Sequence, residues 1–283
     1  MNETPEGPDA AQLNDLDAKR EAALSGEASH ESERDFWGAM LGLEQWHLVC
    51  AADEEALEAG NAPALMTLRD GEDRVLAPVY STSERARSGF TKINEATGAG
   101  QAFSVLSLPT RNAVAYLCAI SANTPFLLID NVPGELKAYG NSTHAVPGWY
   151  DHHVGPCPIE CFNLLSRIAA ETSQAAAFLA AYRSACAAQA LFVVRTQEGQ
   201  LAIATEQGKS FLPVFTTRPI AEQQAASMGD VTIEPVSPER LGPTDDELRS
   251  SADASYLGVV FDPGISTLVM DPELWKKACD SVA

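Results

Sequence analysis

The sequence predicts an α/β protein of two tandem, diverged modules, each a mixed or mainly antiparallel sheet flanked by helices. The first observation is length, because 283 residues are enough for two domains of ordinary size. The second is pattern, because apolar runs of strand length alternate with stretches of helical periodicity. The third is repetition, because the second half of the chain follows the element order of the first.

The amino-terminal residues 1–32 are predicted to form a disordered acidic arm. They are rich in Asp, Glu, Ala, Ser and Gly, and their few leucines offer too little apolar area to offset the entropy of ordering. The first module is then expected over residues 33–138 and the second over residues 166–283. Residues 139–165, which contain several prolines and glycines, are expected to be a linker or a loop at the seam between the modules.

Apolar spacing and turn residues predict the elements of the first module. Helical spacing predicts one helix from Phe36 to Cys50 and a second, acidic helix over residues 53–59. Hydroxyl and proline residues predict helices that start near Ser81 and Pro109. Apolar runs predict strands over residues 64–68, 75–80, 102–108 and 126–129.

The second module has the same order of elements. Helices are predicted over residues 173–189, from a start at residues 216–219, and from Pro272 onward. Strands are predicted over residues 190–194, 201–204, 211–215, 231–236, 256–261 and 267–270.

Three short sequence segments, the repeated words, recur in the same order in both modules. Residues 78–82 (PVYST) match residues 213–217 (PVFTT), Leu108-Pro109 matches Ser237-Pro238, and residues 129–134 match residues 260–264. One such match is easily a coincidence. Three matches in register, together with the same element order, indicate an internal duplication.

The charge balance restricts the class of partner. The chain carries 19 basic and 39 acidic residues, a formal net charge of −20. Such a field repels nucleic acid and anionic membrane surfaces, and no apolar run reaches the roughly 20 residues that span a bilayer. The sequence therefore predicts no nucleic-acid or membrane partner, and leaves a protein partner or a homo-oligomer open.

The compartment is predicted from the amino terminus and the cysteines. Residues 1–35 lack the apolar core of an export signal. In a chain without such a signal, the six cysteines are expected to be reduced thiols packed as small hydrophobic residues. A cytoplasmic location is the resulting expectation.

The repeated words of the second module resemble a known family. Residues 211–217 (FLPVFTT), followed by Pro219 and an Ala-rich helix, resemble the signature strand and helix start of the SseB family (enhanced serine sensitivity protein). Asp262-Pro263-Gly264, with Asp271-Pro272 downstream, is similar to that family's terminal turn and last helix, although Asp262 stands where the family tends to have Asn.

The resemblance covers about residues 175–280 and, more weakly, residues 46–136. It is weaker there because Ala77 to Tyr80 replace the usual leader and residues 131–134 carry an insertion. The resemblance implies an α/β module with a mainly antiparallel or mixed sheet. It implies no established enzymatic activity.

The hydroxyl and turn residues of the repeated words are the candidate binding residues. They are Ser81, Thr82, Thr216, Thr217, Asp262 and Gly264. The favoured interpretation is structural, because hydroxyls cap helices and a Pro-Gly pair sets a turn. The alternative is that equivalent residues of the two modules line a pseudo-symmetric binding groove.

A second group of candidates lies between the modules. Two cysteines and two histidines suffice for a tetrahedral zinc site, and the segment contains His144, His152, His153, Cys157 and Cys161. The same segment allows a cysteine nucleophile at Cys157 with His153 as its base. Against the zinc site, the spacing fits no familiar zinc module, and Cys161 begins an apolar helical run. Against the nucleophile, nothing in the sequence identifies an oxyanion hole.

The sequence therefore favours a non-enzymatic binding or scaffold protein of a bacterial cytoplasm that acts through protein–protein contacts and needs no cofactor. The alternative is a zinc-dependent binder or a hydrolytic enzyme that uses residues 144–161. A third role, delivery of an effector through a secretion apparatus, rests only on the acidic arm.

Overall fold

The computed structural model describes residues 8–25, 29–51, 64–98, 100–131, 138–226, 228–251, 255–266 and 268–283. The chain divides into two compact units, residues 1–155 and 156–283. Each unit contains one β-sheet flanked by helices, so the predicted fold class is confirmed.

The first unit contains a six-stranded sheet. Its strands are β1 (Gln45–Cys50), β2 (Leu68–Arg69), β3 (Val75–Tyr80), β4 (Ser104–Pro109), β5 (Phe126–Ile129) and β6 (Tyr139–Ser142). They lie in the order β4-β1-β3-β5-β6, with β2 paired to β3. All pairs are antiparallel except β3 and β5, which run parallel.

The second unit contains a five-stranded sheet. Its strands are β7 (Leu191–Thr196), β8 (Ala204–Glu206), β9 (Lys209–Phe215), β10 (Val231–Val236) and β11 (Tyr256–Phe261). They lie in the order β10-β7-β9-β11, with β8 paired to β9, and only β9 and β11 run parallel. Each of these strands therefore has a counterpart of the same place and direction in the first unit.

Helices surround both sheets. In the first unit they are α1 (Ala10–Leu24), α2 (His30–Leu41), α3 (Ser83–Thr97), α4 (Thr110–Ile120) and α5 (Ala145–His153). In the second unit they are α6 (Phe162–Thr172), α7 (Ala175–Cys186), α8 (Arg218–Ala225), α9 (Leu241–Ser251) and α10 (Pro272–Val282). Short 3₁₀ helices cover Ile159–Cys161 and Pro238–Arg240. In the described part of the chain, every helix is too short or too polar for a transmembrane segment.

The cores of the two units are built from equivalent elements. In the first, α3 packs Ala86 and Phe90 against Val49 and Tyr80 of the sheet. In the second, α8 packs its alanines against Val194 and Phe215. A pair of packed helices also precedes the first long strand of each sheet, α1 with α2 and α6 with α7.

The amino-terminal arm is the largest difference from the sequence prediction. Residues 10–24 form α1 rather than a disordered segment, and Asp9 caps its first turn. Leu16 and Arg20 are fully buried. The prediction counted only apolar area, whereas a buried arginine with carboxylate partners adds binding energy that composition does not reveal.

Two further predictions are corrected. The helix predicted from Phe36 to Cys50 ends at Leu41, and residues 45–50 form β1, because five consecutive residues of this strand are buried between two layers. The predicted linker 139–165 is folded: β6 and α5 belong to the first unit, and the boundary lies at residues 155 and 156. The predicted helix 53–59 and residues 132–134 of the predicted turn lie outside the described residues.

Candidate functional site

Ser81, a candidate binding residue, meets Asp130 where two parallel strands end. Ser81 directly follows β3 and Asp130 directly follows β5, and both are fully buried. Asp130 takes a left-handed backbone conformation, φ 52°, that turns its carboxylate toward Ser81. The carboxylate accepts hydrogen bonds from the Ser81 backbone N–H at 2.8 Å and from its hydroxyl at 2.8 Å.

Two arginines complete this arrangement, which we name the Asp130 cluster (Asp17, Arg20, Ser81, Arg85 and Asp130). Arg20 of α1 and Arg85 of α3 donate to Asp130 Oδ2 at 3.0 Å and 2.9 Å. The same two arginines donate to the two oxygens of Asp17 at 2.8 Å and 2.7 Å. Two carboxylates and two guanidinium groups therefore alternate, and they join α1 to the ends of β3 and β5.

The second unit repeats the aspartate and the hydroxyl. Thr216 directly follows β9, and Asp262, with φ 41°, directly follows β11. The Asp262 carboxylate accepts from the Thr216 backbone N–H at 2.8 Å and from its hydroxyl at 2.6 Å. The strand register makes Pro78 equivalent to Pro213, so Asp130 is equivalent to Asp262.

The cations are not repeated. Ile220 occupies the place that Arg85 has in the first unit, three residues beyond the shared Thr. Within the described residues, no arginine, lysine or histidine forms an ion pair with Asp262. Burial raises the pKa of Asp262, and hydrogen bonds from Thr216 and Asn163 offset part of this rise. Among the described residues, Asp262 is therefore a buried carboxyl group without a compensating charge.

The remaining hydroxyl and turn candidates have local structural roles. Thr82 is the N-cap of α3 and accepts a hydrogen bond from the Arg85 backbone N–H at 3.1 Å. Thr217 stands at the N-cap of α8 but makes no such bond. Gly264 turns the chain after β11 with φ 88°, a conformation in which a Cβ is strained.

Ser81 and Thr216 are interior groups rather than lining groups. Their exposed fractions are 0% and 3%. Each holds an aspartate through its backbone N–H and its hydroxyl. This placement favours the structural interpretation of the repeated words over a groove lined by these hydroxyls.

The histidines and cysteines of the predicted zinc segment belong to different units. His144 stands at the N-cap of α5, and His152 and His153 lie in its last turn, in the first unit. Cys157 and Cys161 are fully buried in the second unit. Among the described residues, no three His, Cys, Asp or Glu side chains form a metal-binding group. The zinc and nucleophile alternatives stay predictions.

The outer edge of the first sheet is built differently from that of the second. β4 pairs with β1. Val49 and Ala51 of β1 hydrogen-bond to residues 64–66 on one side of the strand. Trp46, Leu48 and Cys50 therefore direct their backbone N–H and C=O groups to the other side, toward β4. The alternation of an antiparallel ladder then directs the backbone N–H groups of Val105 and Ser107 away from the sheet. Among the described residues, no strand pairs with this edge.

The equivalent edge strand β10 lacks one of these donors. Val194 and Thr196 of β7 bond residues 200–202, so residues 231, 233 and 235 of β10 direct their backbone groups outward. Residue 235 is a proline, which has no N–H. Its counterpart in the first unit is Ser107. Ser107 pairs with His47, which also pairs with Tyr80. Pro235 pairs with Phe192, which also pairs with Phe215, the equivalent of Tyr80.

The charges of the two edges differ as well. β4 reads Ser-Val-Leu-Ser-Leu-Pro and has no charged side chain, whereas β10 carries Glu234 in an ion pair with Arg195. Natural sheets protect exposed edges with proline and charge. The second sheet has both devices, and β4 has neither within its first five residues.

Comparisons with known proteins add one structural neighbour. No family model matches the chain, and no curated protein matches it. A solved structure described as Anabaena Tic22 (protein transport) matches 80% of this chain and 92% of its own chain, with 10% sequence identity and a TM-score of 0.20. A likeness of this size supports no inference about this chain, and the resemblance to the SseB family stays a prediction.

Sequence reasoning missed the residues that organise these places. Arg20 lay in the predicted disordered arm, Arg85 in a helix start, and Asp130 in a turn. The repeated match of residues 129–134 with residues 260–264 was the nearest signal, but it set Ile129 against Val260, and only the strand register aligns the two aspartates. The proline at 235, within a predicted strand, was the signal for an edge.

Asp262 makes the stability of the protein depend on pH. Because its pKa is raised, the folded protein keeps this proton in a range where the unfolded chain has released it. The stabilisation is fully present below the ordinary carboxyl pKa of about 4 and is lost as pH rises through the raised value. We expect urea titrations from about pH 4 to about pH 7 to show this loss in the native chain and not in Asp262→Asn. An identical pH dependence in both proteins would contradict the assignment.

Proposed function

We propose that this chain is a non-enzymatic binding protein of the cytoplasm that takes an extended segment of a partner protein as an additional strand on β4. One observation carries the proposal: the equivalent edge strands β4 and β10 differ. Of these two, β4 has an outward N–H at both of its central outward positions and no charged residue, whereas β10 has a proline and a glutamate. Main-chain hydrogen bonds to such an edge give affinity, and alternate side chains give specificity.

Charge identifies the class of segment. With a net charge of −20, the chain favours a partner segment flanked by basic residues, and electrostatic attraction speeds its association. An apolar, β-branched centre suits pairing with Val105 and Leu106, which are both partly exposed. The cytoplasmic location fits the six cysteines, all of which are free thiols.

The proposal predicts that Ser107→Pro weakens binding of such segments by at least about tenfold, since one lost main-chain hydrogen bond and the displaced neighbours cost more than about 1.4 kcal/mol. A displayed library of random twelve-residue peptides is selected on the native chain, and the selected peptides are measured by fluorescence anisotropy. Ser107→Ala is the matched control, because it loses the same hydroxyl and keeps the N–H.

Two further measurements separate binding from folding. N-methylation of alternate residues in a selected peptide removes its main-chain donors and should abolish binding to the unaltered protein. Pro235→Ser restores the missing donor of β10 and should create a second, weaker site. Equal affinity of Ser107→Pro and Ser107→Ala, or a β4-dependent dimer in sedimentation equilibrium without peptide binding, would overturn the proposal.

A further inference from the structure

Two cysteines of the second unit face each other across a helix pair. Cys186 is the last residue of α7 and Cys279 lies in α10, and these helices pack against each other. Their Sγ atoms are 2.6 Å apart in hydrogen-bonding contact. Of the six cysteines of the chain, these two are partly exposed and the other four are buried. These two are therefore the thiols that a dissolved reagent can reach in the folded protein.

Both thiols line a cleft of about 600 Å³. Its walls come from the 3₁₀ helix Pro238–Arg240, from the start of α9 and from α10. Acidic side chains dominate the lining, since Glu239, Asp246, Glu273 and Asp280 are opposed by Lys276 alone among the described lining residues. A cleft of one charge sign concentrates ligands of the opposite sign, so this one favours cations.

The contact between the two sulfurs changes the pKa of both thiols. The hydrogen bond from Cys186 lowers the pKa of Cys279, although burial and the nearby Asp280 and Glu239 oppose this effect. The same hydrogen bond, together with burial, raises the pKa of Cys186. The contact therefore favours one thiolate in the pair, and a thiolate is the nucleophile in disulfide exchange.

We propose that Cys279 and Cys186 form a thiol–disulfide exchange site for small disulfides that carry positively charged groups. The Cys279 thiolate attacks one sulfur of the disulfide R–S–S–R, which forms Cys279–S–S–R and releases R–S⁻. Cys186 then transfers its proton to the released thiolate and attacks the Cys279 sulfur, which expels the second R–S⁻; solvent protonates this group. Two protein thiols are oxidised to one disulfide, and the substrate disulfide is reduced to two thiols.

The test compares three disulfides of different charge on the reduced, full-length protein. Cystamine carries two ammonium groups, bis(2-hydroxyethyl) disulfide is neutral, and glutathione disulfide is anionic. We expect cystamine to oxidise the pair at least about tenfold faster than glutathione disulfide, with a difference that shrinks as salt is added. Intact mass and peptide mapping should show the loss of two hydrogens and a Cys186–Cys279 bond.

Serine variants identify the order of attack. Cys186→Ser should accumulate one mixed disulfide on Cys279, and Cys279→Ser should lose the fast reaction. Cys118→Ser, which alters a buried thiol of the first unit, is the matched control and should react like the native chain. Equal rates for the three disulfides, or adducts mapped to the buried cysteines of the natively folded, unsubstituted chain, would overturn the proposal without depending on the fold of any variant.

Discussion

Replacing Asp130 with asparagine is expected to lower the free energy of unfolding by about 3–5 kcal/mol, because it leaves the buried Arg20 guanidinium and the partly exposed Arg85 guanidinium with half of their negative partners. Arg20 and Asp130 are both fully buried, so solvent cannot replace the lost charge. Helix α1 is held through Arg20, and we therefore also expect faster amide hydrogen exchange over residues 10–24. Urea titration and hydrogen exchange measured by mass spectrometry check both results.

The equivalent change in the second unit provides the control. Asp262 accepts the same hydroxyl and backbone bonds as Asp130 but has no ion pair within the described residues. An asparagine there keeps an acceptor for Thr216, so Asp262→Asn should cost only about 1 kcal/mol. Equal losses for the two variants would show that the hydrogen bonds, and not the ion pairs, stabilise these strand ends.

A double variant tests the cause more directly. Replacing a buried ion pair by apolar groups of similar volume is often neutral, whereas removing one partner is costly. Arg20→Met combined with Asp130→Asn should therefore recover part of the stability that Asp130→Asn alone has lost. No recovery would mean that the cost arises elsewhere, for example at Ser81.

Replacing Phe261 with alanine is expected to lower the free energy of unfolding by about 3–5 kcal/mol, since it removes a fully buried aromatic ring. Phe261 lies in β11, and its ring centroid is 5.3 Å from Phe162, 6.3 Å from Tyr182 and 5.4 Å from Trp275. These three rings belong to α6, α7 and α10. The Phe261 side chain thus packs α6, α7 and α10 against the sheet of the second unit.

The effect should be confined to particular peptides. Hydrogen exchange should quicken over α7 and α10, which carry Cys186 and Cys279, and Trp275 fluorescence should shift toward that of an exposed indole. Phe261→Leu retains most of the volume and should cost clearly less, which makes it the matched control. A loss below about 1 kcal/mol for Phe261→Ala would contradict the central place of this ring.

Strand positions were predictable where local pattern and tertiary environment agree. The apolar runs 75–80, 126–129, 231–236 and 256–261 coincide with β3, β5, β10 and β11, because each carries β-branched or aromatic residues between turn residues. The prediction of a helix up to Cys50 was wrong, because a strand buried on both faces lacks the alternation of apolar and polar residues that would distinguish it from a helix. The prediction that residues 139–165 form a linker was wrong, because prolines and glycines also occur at the ends of short helices.

The candidate sites were less predictable, and the residues explain why. Ser81, Thr216 and Asp262 were identified as candidates from the repeated sequence segments. Ser81 bonds Asp130 at the strand ends of the first unit, and Thr216 bonds Asp262 at those of the second. Arg20 could not be assigned, because nothing in the local sequence of α1 indicates a partner elsewhere in the chain. Cys186 and Cys279 looked like scattered thiols, because no local pattern relates them.

The sequence by itself determined the fold class and the positions of several strands, because periodicity and turn chemistry are local properties. Only the tertiary structure decided which groups meet. Arg20 lies 110 residues from Asp130, and Cys186 lies 93 residues from Cys279. It also decided that β4 is an edge among the described strands, since an edge strand is one that has a partner on one side only. Ion pairs, thiol contacts and sheet edges depend on chain-distant neighbours, and local sequence carries no record of those.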